Sequence, residues 1–421
     1  MAKEEKKIFV YENWSEETPA FMGTLYANAA RGAEVFSFEY DESYLRKGKR
    51  FTIDPELEFF SGRQYTYQKP NFGIFADSSP DRWGRTLMDR RETIRAKEEE
   101  GRKKRSLQTS DYLLGVYDEA RMGALRFALE KNGPFQSADS SEIVPPWTTL
   151  RTLEEASREY EKDENTLSDK WISQLLKPGS SLGGARPKAT IKDVDGALWI
   201  AKFPSRHDEV NVGAWEKVVH DLARMCDINV PESHVETFSP LGSTFLVKRF
   251  DRNGTRRIHF SSAMTMLNKV DGASASDGSS YLELADFIIQ NGAKPNKDLK
   301  ELWKRIVFNM AVSNTDDHLR NHGFLLTPNG WRLSPAYDVN PQTNKDELSL
   351  NVNDEDNSID INLAIETSRF FQLDRNEAKN LAEKICLIVH ESWEGTARRY
   401  GLSRGQIEIM RPAFEESNWG K

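Results

Sequence analysis

Asn314-Thr315-Asp316-Asp317-His318-Leu319-Arg320-Asn321-His322-Gly323-Phe324 is the stretch whose reading decides the fold. Asp316 stands five residues before Asn321, and a second acid, Asp338, follows a short apolar hairpin in Leu333-Ser334-Pro335-Ala336-Tyr337-Asp338-Val339. An acid to orient a hydroxyl, with an amide and an acid to hold Mg²⁺, are the minimum parts of a phosphoryl-transfer site. Taken alone, Asn-Thr-Asp-Asp is also an ordinary capped turn whose side chains satisfy backbone donors. The residues upstream decide between the two.

Residues 177–188 form a glycine-rich turn. Consecutive Gly183 and Gly184 let backbone N–H groups approach an anion with no Cβ in the way, and Arg186 and Lys188 add positive charge. The turn is neither a Walker A loop nor a dinucleotide fingerprint. Residues 189–191 and 198–203 read as strands joined by Asp195-Gly196, a favourable hairpin turn. Lys202 interrupts the second strand. By alternation it is an outward residue of a half-exposed sheet; in Trp199-Ile200-Ala201-Lys202 it also matches the lysine that kinases carry on the strand after the glycine-rich loop. Glu216, in the helix that follows, is the acid such a lysine pairs with. Asp316, Asn321 and Asp338 then come in the order of a kinase catalytic loop and its metal-binding acid. Each signal is weak alone; their common order is strong.

Bulk properties limit the alternatives. The chain has 421 residues, enough for two or three domains, with 38% apolar and 29% charged residues, as in soluble globular proteins. A net charge of −8 gives no general pull toward nucleic acid. No apolar run approaches the roughly 20 residues of a membrane span, and the first residues carry charge without an apolar core, so no secretory signal is read. Cys226 and Cys386 sit in apolar helical patterns and read as small core residues of a reducing compartment. The expected location is the cytoplasm. The Arg- and Lys-rich segment 82–105 reads as a solvated helix face with Glu92 and residues 98–100 as partners, a phosphate-binding patch being the alternative. His318 and His322 have the spacing of a zinc pair, but Leu319 stands where the metalloprotease motif needs Glu. No Gly-x-Ser-x-Gly elbow is present, and neither cysteine has a reactive setting.

The expected fold class is α+β. Residues 8–65 alternate apolar and polar positions and read as strands. A helix capped by Ser79 or Asp81 follows, and residues 131–146 look like a linker. A helix runs from Leu150 to about Leu176, another from Glu209 to Cys226, and strands cover 233–238 and 244–250. From Tyr281 the pattern is helical except for a hairpin over 323–333 with Pro328-Asn329-Gly330 at its tip. The expected domains are 1–145, β-rich; 146–250, a β-containing lobe with the glycine-rich turn; and 251–421, a helical lobe with the Asp316 loop.

Residues 180–188, 314–321 and 333–339, together with 72–81, resemble the HipA family, bacterial serine/threonine protein kinases that serve as toxins of toxin–antitoxin pairs. The resemblance covers nearly the whole chain. It implies an N-terminal β-rich domain followed by a bilobal protein-kinase-like fold that uses Mg-ATP. By the same resemblance Asp316 orients and deprotonates the substrate hydroxyl, and Asn321 and Asp338 bind Mg²⁺. Lys202 holds the ATP phosphates, with Glu216 positioning it. Ser181, Leu182, Gly183, Gly184, Ala185, Arg186 and Lys188 form the loop over the phosphates. Lys248 and Phe250 match the hinge that meets adenine, although Lys248 stands where some members have an acid. Ser181 matches a serine that family members autophosphorylate; phosphate there adds roughly −2 charge to a loop built to cradle an anion. The implied partners are a helix-turn-helix antitoxin of the HipB kind, operator DNA through that antitoxin, and a protein substrate of the translation machinery such as an aminoacyl-tRNA synthetase. Two alternatives stay open: a lipid or small-molecule kinase, since Asp-x-His-x-x-Asn also resembles phosphoinositide kinases, and a non-catalytic corepressor or binding module. The role of Asp317 is open.

Overall fold

The computed structural model describes the chain except residues 1–4, 31, 48–50, 68, 100, 138–143, 163–174, 176–183, 185, 345 and 421. The chain divides into two units, Met1–Arg206 with Asp251–Ser261, and His207–Phe250 with Ser262–Lys421. These units cut the chain differently from the three expected domains. The first runs across the 145/146 boundary, and the segment after residue 250 returns to it.

In the first unit, strands β1 (Lys6–Glu12), β2 (Ala20–Ala30), β3 (Ala33–Tyr40), β4 (Gln64–Tyr65) and β5 (Leu125–Ala128) form an antiparallel sheet in the order β4-β3-β2-β1-β5. The register places Leu25 opposite both Ile8 and Phe38. All three are fully buried, so one row of apolar side chains crosses three strands, as period-two alternation requires. Phe38 packs on Phe75 at 5.5 Å, and Phe75 on Phe127 at 6.1 Å.

Helix Arg82–Glu98 starts where its cap was read: the Asp81 carboxylate accepts from the Gly84 N–H at 2.8 Å. The charged run beyond it is laced by ion pairs, with Arg102 holding Glu92 at 2.8 Å and Glu99 at 3.0 Å. Helix Leu150–Lys162 and the hairpin β6 (Lys188–Lys192) and β7 (Leu198–Lys202) complete the part before residue 207.

Residues 251–261 are fastened to this unit by charge. Arg252 donates to the carbonyls of Gly123 (3.1 Å), Glu119 (3.1 Å) and Arg121 (2.7 Å). Buried Asp251 accepts the Gly123 N–H at 2.8 Å. Arg257 pairs with Asp118 at 2.9 Å. Strands β10 (Arg252–Asn253) and β11 (Arg256–Arg257) make a small ribbon, and β12 (Phe260–Ser262) follows.

His259, in this segment, is buried with its ring stacked on Trp14 at 4.3 Å. Burial pushes its pKa down to about 3. An unfolded histidine titrates near 6.5, so below that pH the unfolded chain binds a proton that the folded chain refuses. Stability is therefore full above about pH 7 and falls as the pH drops toward 3. At pH 5 the expected loss is about 2 kcal/mol. His259→Phe keeps the stack and removes the titration. Its melting temperature should fall less than wild type's between pH 7.5 and pH 5, and equal falls would contradict the assignment.

The second unit is mostly helical, apart from two hairpins. Strands β8 (Ser233–Ser239) and β9 (Gly242–Lys248) pair antiparallel, and helix Val212–Met225 lies on them. Gly213 permits that approach, because a Cβ there would sit 2.0 Å from the Ser243 carbonyl oxygen. Helices Tyr281–Asn291, Pro295–Ala311 and Arg375–Arg399 surround a core with fully buried Trp215, Trp303 and Trp331. Cys226 and Cys386 are free thiols in this core, each pushed up to about 12 by burial. They are inert small side chains, as read from their setting.

Candidate active site

Helix Pro295–Ala311 delivers the chain to the loop at 313–321. Its first-turn proline needs no N–H partner, and Asp298 sits at its positive end. Leu299, Leu302, Trp303, Ile306 and Phe308 bury its apolar face, and the Trp303 indole donates to the Ala364 carbonyl at 2.8 Å. The helix stops where Ser313 turns left-handed at φ +47°. The N–H groups of Ser313 and Asn314 close back on the carbonyls of Met310 (3.2 Å) and Asn309 (2.8 Å).

The two adjacent acids of the loop have opposite surroundings. Asp317 is 4% exposed. Its Oδ2 accepts from the Tyr281 hydroxyl (2.8 Å), Asn309 Nδ2 (2.6 Å) and His322 Nε2 (2.8 Å). Burial and the Asp317 charge push the Tyr281 phenol well above its ordinary pKa of 10.0, which keeps it a donor. Asp317 thus ties two helices and the start of the next strand to the loop. Asp316, one residue earlier, is exposed. Among the described residues only its carbonyl is engaged, by the His318 N–H at 3.0 Å and Asn321 Nδ2 at 2.8 Å.

That last bond orients the Asn321 amide. Its N–H₂ end is held, and its buried Oδ1 has no hydrogen-bond partner among the described residues. A buried carbonyl oxygen left this way costs about 1–3 kcal/mol unless something completes it. A hard cation such as Mg²⁺ takes oxygen ligands of this kind.

Strands β13 (Gly323–Thr327) and β14 (Gly330–Leu333) form the expected hairpin, with Pro328 and Asn329 at the tip. Gly330 adopts φ +128°, and a Cβ there would lie 2.9 Å from the Asn291 carbonyl oxygen. Asp298 anchors the hairpin by a bidentate pair to Arg332 at 2.7 and 2.8 Å. The chain after it is tied to the loop on both sides of Asp338. The Tyr337 hydroxyl donates to the Arg320 carbonyl at 2.8 Å, and the N–H groups of Asn340 and Gln342 reach Asn314 Oδ1 (3.2 Å) and the Ser313 carbonyl (3.0 Å). Asp338 itself is held at φ +57°, a conformation that non-glycine residues rarely adopt and that collects at functional sites. Asp316, Asn321 and Asp338 thus belong to one cross-braced stretch. Among the described residues no group of three or more His, Cys, Asp or Glu side chains could hold a metal. An ion here would rest on an amide and a carboxylate, with further oxygens from water or phosphate.

His318 joins the loop through its backbone, its N–H donating to the Asp316 carbonyl at 3.0 Å and its carbonyl accepting from the Asn321 N–H at 2.8 Å; of the two histidines it is His322 whose ring binds Asp317. The Asp317 hub was missed because its partners lie up to 36 residues away. The signal within reach was His322, five residues on.

In the first unit, Lys188 is buried. Its ammonium is paired with Asp81 at 2.9 Å and donates to the Gly184 carbonyl at 3.1 Å. It thereby joins the end of the glycine-rich turn to the cap of helix Arg82–Glu98. Lys202 lies directly opposite Lys188 across the β6–β7 hairpin and is 6% exposed. Strand β7 is buried along its whole length, so the outward position suggested by alternation is not where Lys202 lies. Gly184 has φ +21°, and Arg186 is half-buried. Ser181, Leu182, Gly183 and Ala185 lie outside the described residues. In the second unit, Glu216 is buried on helix Val212–Met225. The Lys248 N–H is occupied by the Glu232 carbonyl at 2.9 Å, its ammonium lies 3.3 Å from the Glu232 carboxylate, and the Phe250 ring is 5.6 Å from that of Tyr337.

A family model described as the HipA-like C-terminal domain matches residues 180–393, just over half of the chain. The chain belongs to the HipA family. Two curated relatives also match part of the chain. A Haemophilus influenzae protein named "Putative kinase" is 27% identical over 179 residues, 38% of this chain and 52% of that protein. A Sinorhizobium fredii protein named "Putative kinase Y4mE" is 28% identical over 183 residues, 38% of this chain and 41% of that protein. The chain spans about half the length of these relatives. Among solved structures, HipA of Shewanella oneidensis MR-1, determined with HipB and its operator DNA, gives a TM-score of 0.66 at 16% identity. The match covers 97% of this chain and 95% of that one. It shows the fold, the α+β, protein-kinase-like class expected of a HipA-family chain. Among the described residues no helix is long and apolar enough to cross a membrane.

Proposed function

We propose that this HipA-family chain is an Mg-ATP-dependent serine/threonine protein kinase and the toxin of a toxin–antitoxin pair. The observation that carries the reading is the cross-braced loop. It holds an exposed Asp316, a buried Asn321 Oδ1 with no partner among the described residues, and a left-handed Asp338 on one stretch.

Asp316 receives the substrate hydroxyl, aligns it and accepts its proton as the oxygen–phosphorus bond forms. The γ-phosphoryl group passes to that oxygen, and ADP departs with the former bridging oxygen. Asn321 Oδ1 and the Asp338 carboxylate would hold Mg²⁺, which would supply positive charge against the phosphates of ATP. Asn321 is kept in place by its own Nδ2 bond to the Asp316 carbonyl, so the proposed base and metal ligand move together. We assign the ATP phosphates to Lys202 and the turn at 181–188, with Glu216 positioning the lysine, and the adenine to Lys248 and Phe250, on the family resemblance. The pairing of Lys188 with Asp81 favours a part in shaping that turn. By analogy with the Shewanella complex, a HipB-like antitoxin is the proposed partner, with operator DNA reached through it. The proposed substrate belongs to the translation machinery, an aminoacyl-tRNA synthetase being the first to test, and the proposed location is the cytoplasm.

The test is incubation of the protein with Mg-ATP and mapping of phosphate by mass spectrometry. Phosphate on Ser181, absent when Asp316 is replaced by Gln, is the expected result. ATP binding with no phosphate on the protein itself or on added cell proteins would instead point to a binding module.

A further inference from the structure

The start of helix Arg82–Glu98 is fastened to strand β6 through a single residue, Lys188. The Asp81 carboxylate divides its oxygens between two donors. Its Oδ1 accepts the Gly84 N–H at 2.8 Å, and its Oδ2 the Lys188 ammonium at 2.9 Å. The Trp83 indole is buried, with its ring edge-on to that of Tyr160 at 5.4 Å, and it donates to the Lys188 carbonyl at 3.1 Å. Side chain and main chain of Lys188 are thus held by one helix start from far earlier in the sequence.

Lys188 passes that hold on to the hairpin. Its ammonium also donates to the Gly184 carbonyl at 3.1 Å. Lys202 stands directly across from it, and the Phe203 N–H closes the register on the Pro187 carbonyl at 2.9 Å. Opposite residues of an antiparallel pair share a face, with Cβ atoms about 5 Å apart. Two lysines, 4% and 6% exposed, therefore share one face of a buried hairpin. Like charges so placed repel, and a buried ammonium that loses its partner is costly. The Asp81 carboxylate meets both demands: it seats the Lys188 ammonium and offsets its charge beside Lys202.

We propose that Asp81 and Trp83 are positioning residues for ATP. They fix Lys188, and through it Gly184 and Lys202, where the phosphates are received. The inference rests on the assignment of the phosphates to Lys202 and the glycine-rich turn. On this account Lys188 does not bind phosphate itself, because its ammonium is engaged by Asp81 and Gly184.

The test measures ATP affinity by calorimetry on the full chain with Mg²⁺, and phosphate transfer at saturating ATP on the same samples. Asp81→Asn keeps the helix cap, since Asn caps as well as Asp, and removes only the charge facing Lys188. It should weaken ATP binding about tenfold while transfer at saturating ATP stays within about twofold. Trp83→Phe keeps a ring against Tyr160 and loses the bond to the Lys188 carbonyl, so ATP binding should weaken about threefold. A merely structural role would lower the melting temperature of these variants and leave ATP affinity where it was. In a Lys188→Met background, Asp81→Asn should weaken ATP binding no further, because the residue through which it acts is gone. The sign of the Asp81→Asn effect is decisive. Tighter ATP binding would mean that the released ammonium reaches phosphate, and it overturns the proposal, as does unchanged affinity; either leaves the kinase reading standing. Failure of the wild-type chain to bind ATP would sink the kinase reading, and the proposal with it, before any variant is compared.

Discussion

Asp316→Asn is expected to slow phosphate transfer about 10³-fold, within the range of a lost general base, while the protein melts as wild type does. The carboxylate is exposed, and the loop uses only the Asp316 carbonyl, which the substitution keeps. A change confined to an exposed side chain without internal partners shifts stability by no more than about 0.5 kcal/mol. Turnover read against melting temperature on the same sample checks both halves of this expectation.

Asp317→Ala should do the reverse. Three donors would be left around an empty, buried position: the Tyr281 hydroxyl, Asn309 Nδ2 and His322 Nε2. Hydrogen bonds to a charged group are worth about 1.5–3 kcal/mol each but do not add, so a loss of about 3 kcal/mol or more is expected. Urea unfolding measures it. Asp317→Asn keeps one acceptor and should recover part of the loss. Activity of Asp317→Ala should fall as well, because the loop it braces carries Asp316 and Asn321. A variant as stable as wild type would remove Asp317 from the role of hub.

The contrast between these neighbours marks what the sequence could and could not convey. The spacing from Asp316 to Asn321, the hairpin and the later Asp338 are local patterns, and the structure places them on one braced stretch. The strands of residues 8–65 were legible because alternation is imposed by the pleat, and the Asp81 cap because capping is settled within three residues. Burial by distant segments left no such trace. Asp317 depends on Tyr281, 36 residues earlier. Residues 251–261 join the first unit through bonds to Gly123, Glu119 and Arg121 that span about 130 positions. Lys202 lies in a strand covered on both faces, where alternation no longer separates inside from outside.

The most direct test of the central claim is single-turnover phosphate transfer at saturating Mg-ATP, comparing wild type with Asp316→Asn. ATP affinity is measured on the same preparations. If Asp316 is the base, the variant binds ATP with wild-type affinity and transfers phosphate about 10³-fold more slowly. Transfer at the wild-type rate by a variant that binds ATP normally would contradict the assignment and the mechanism built on it.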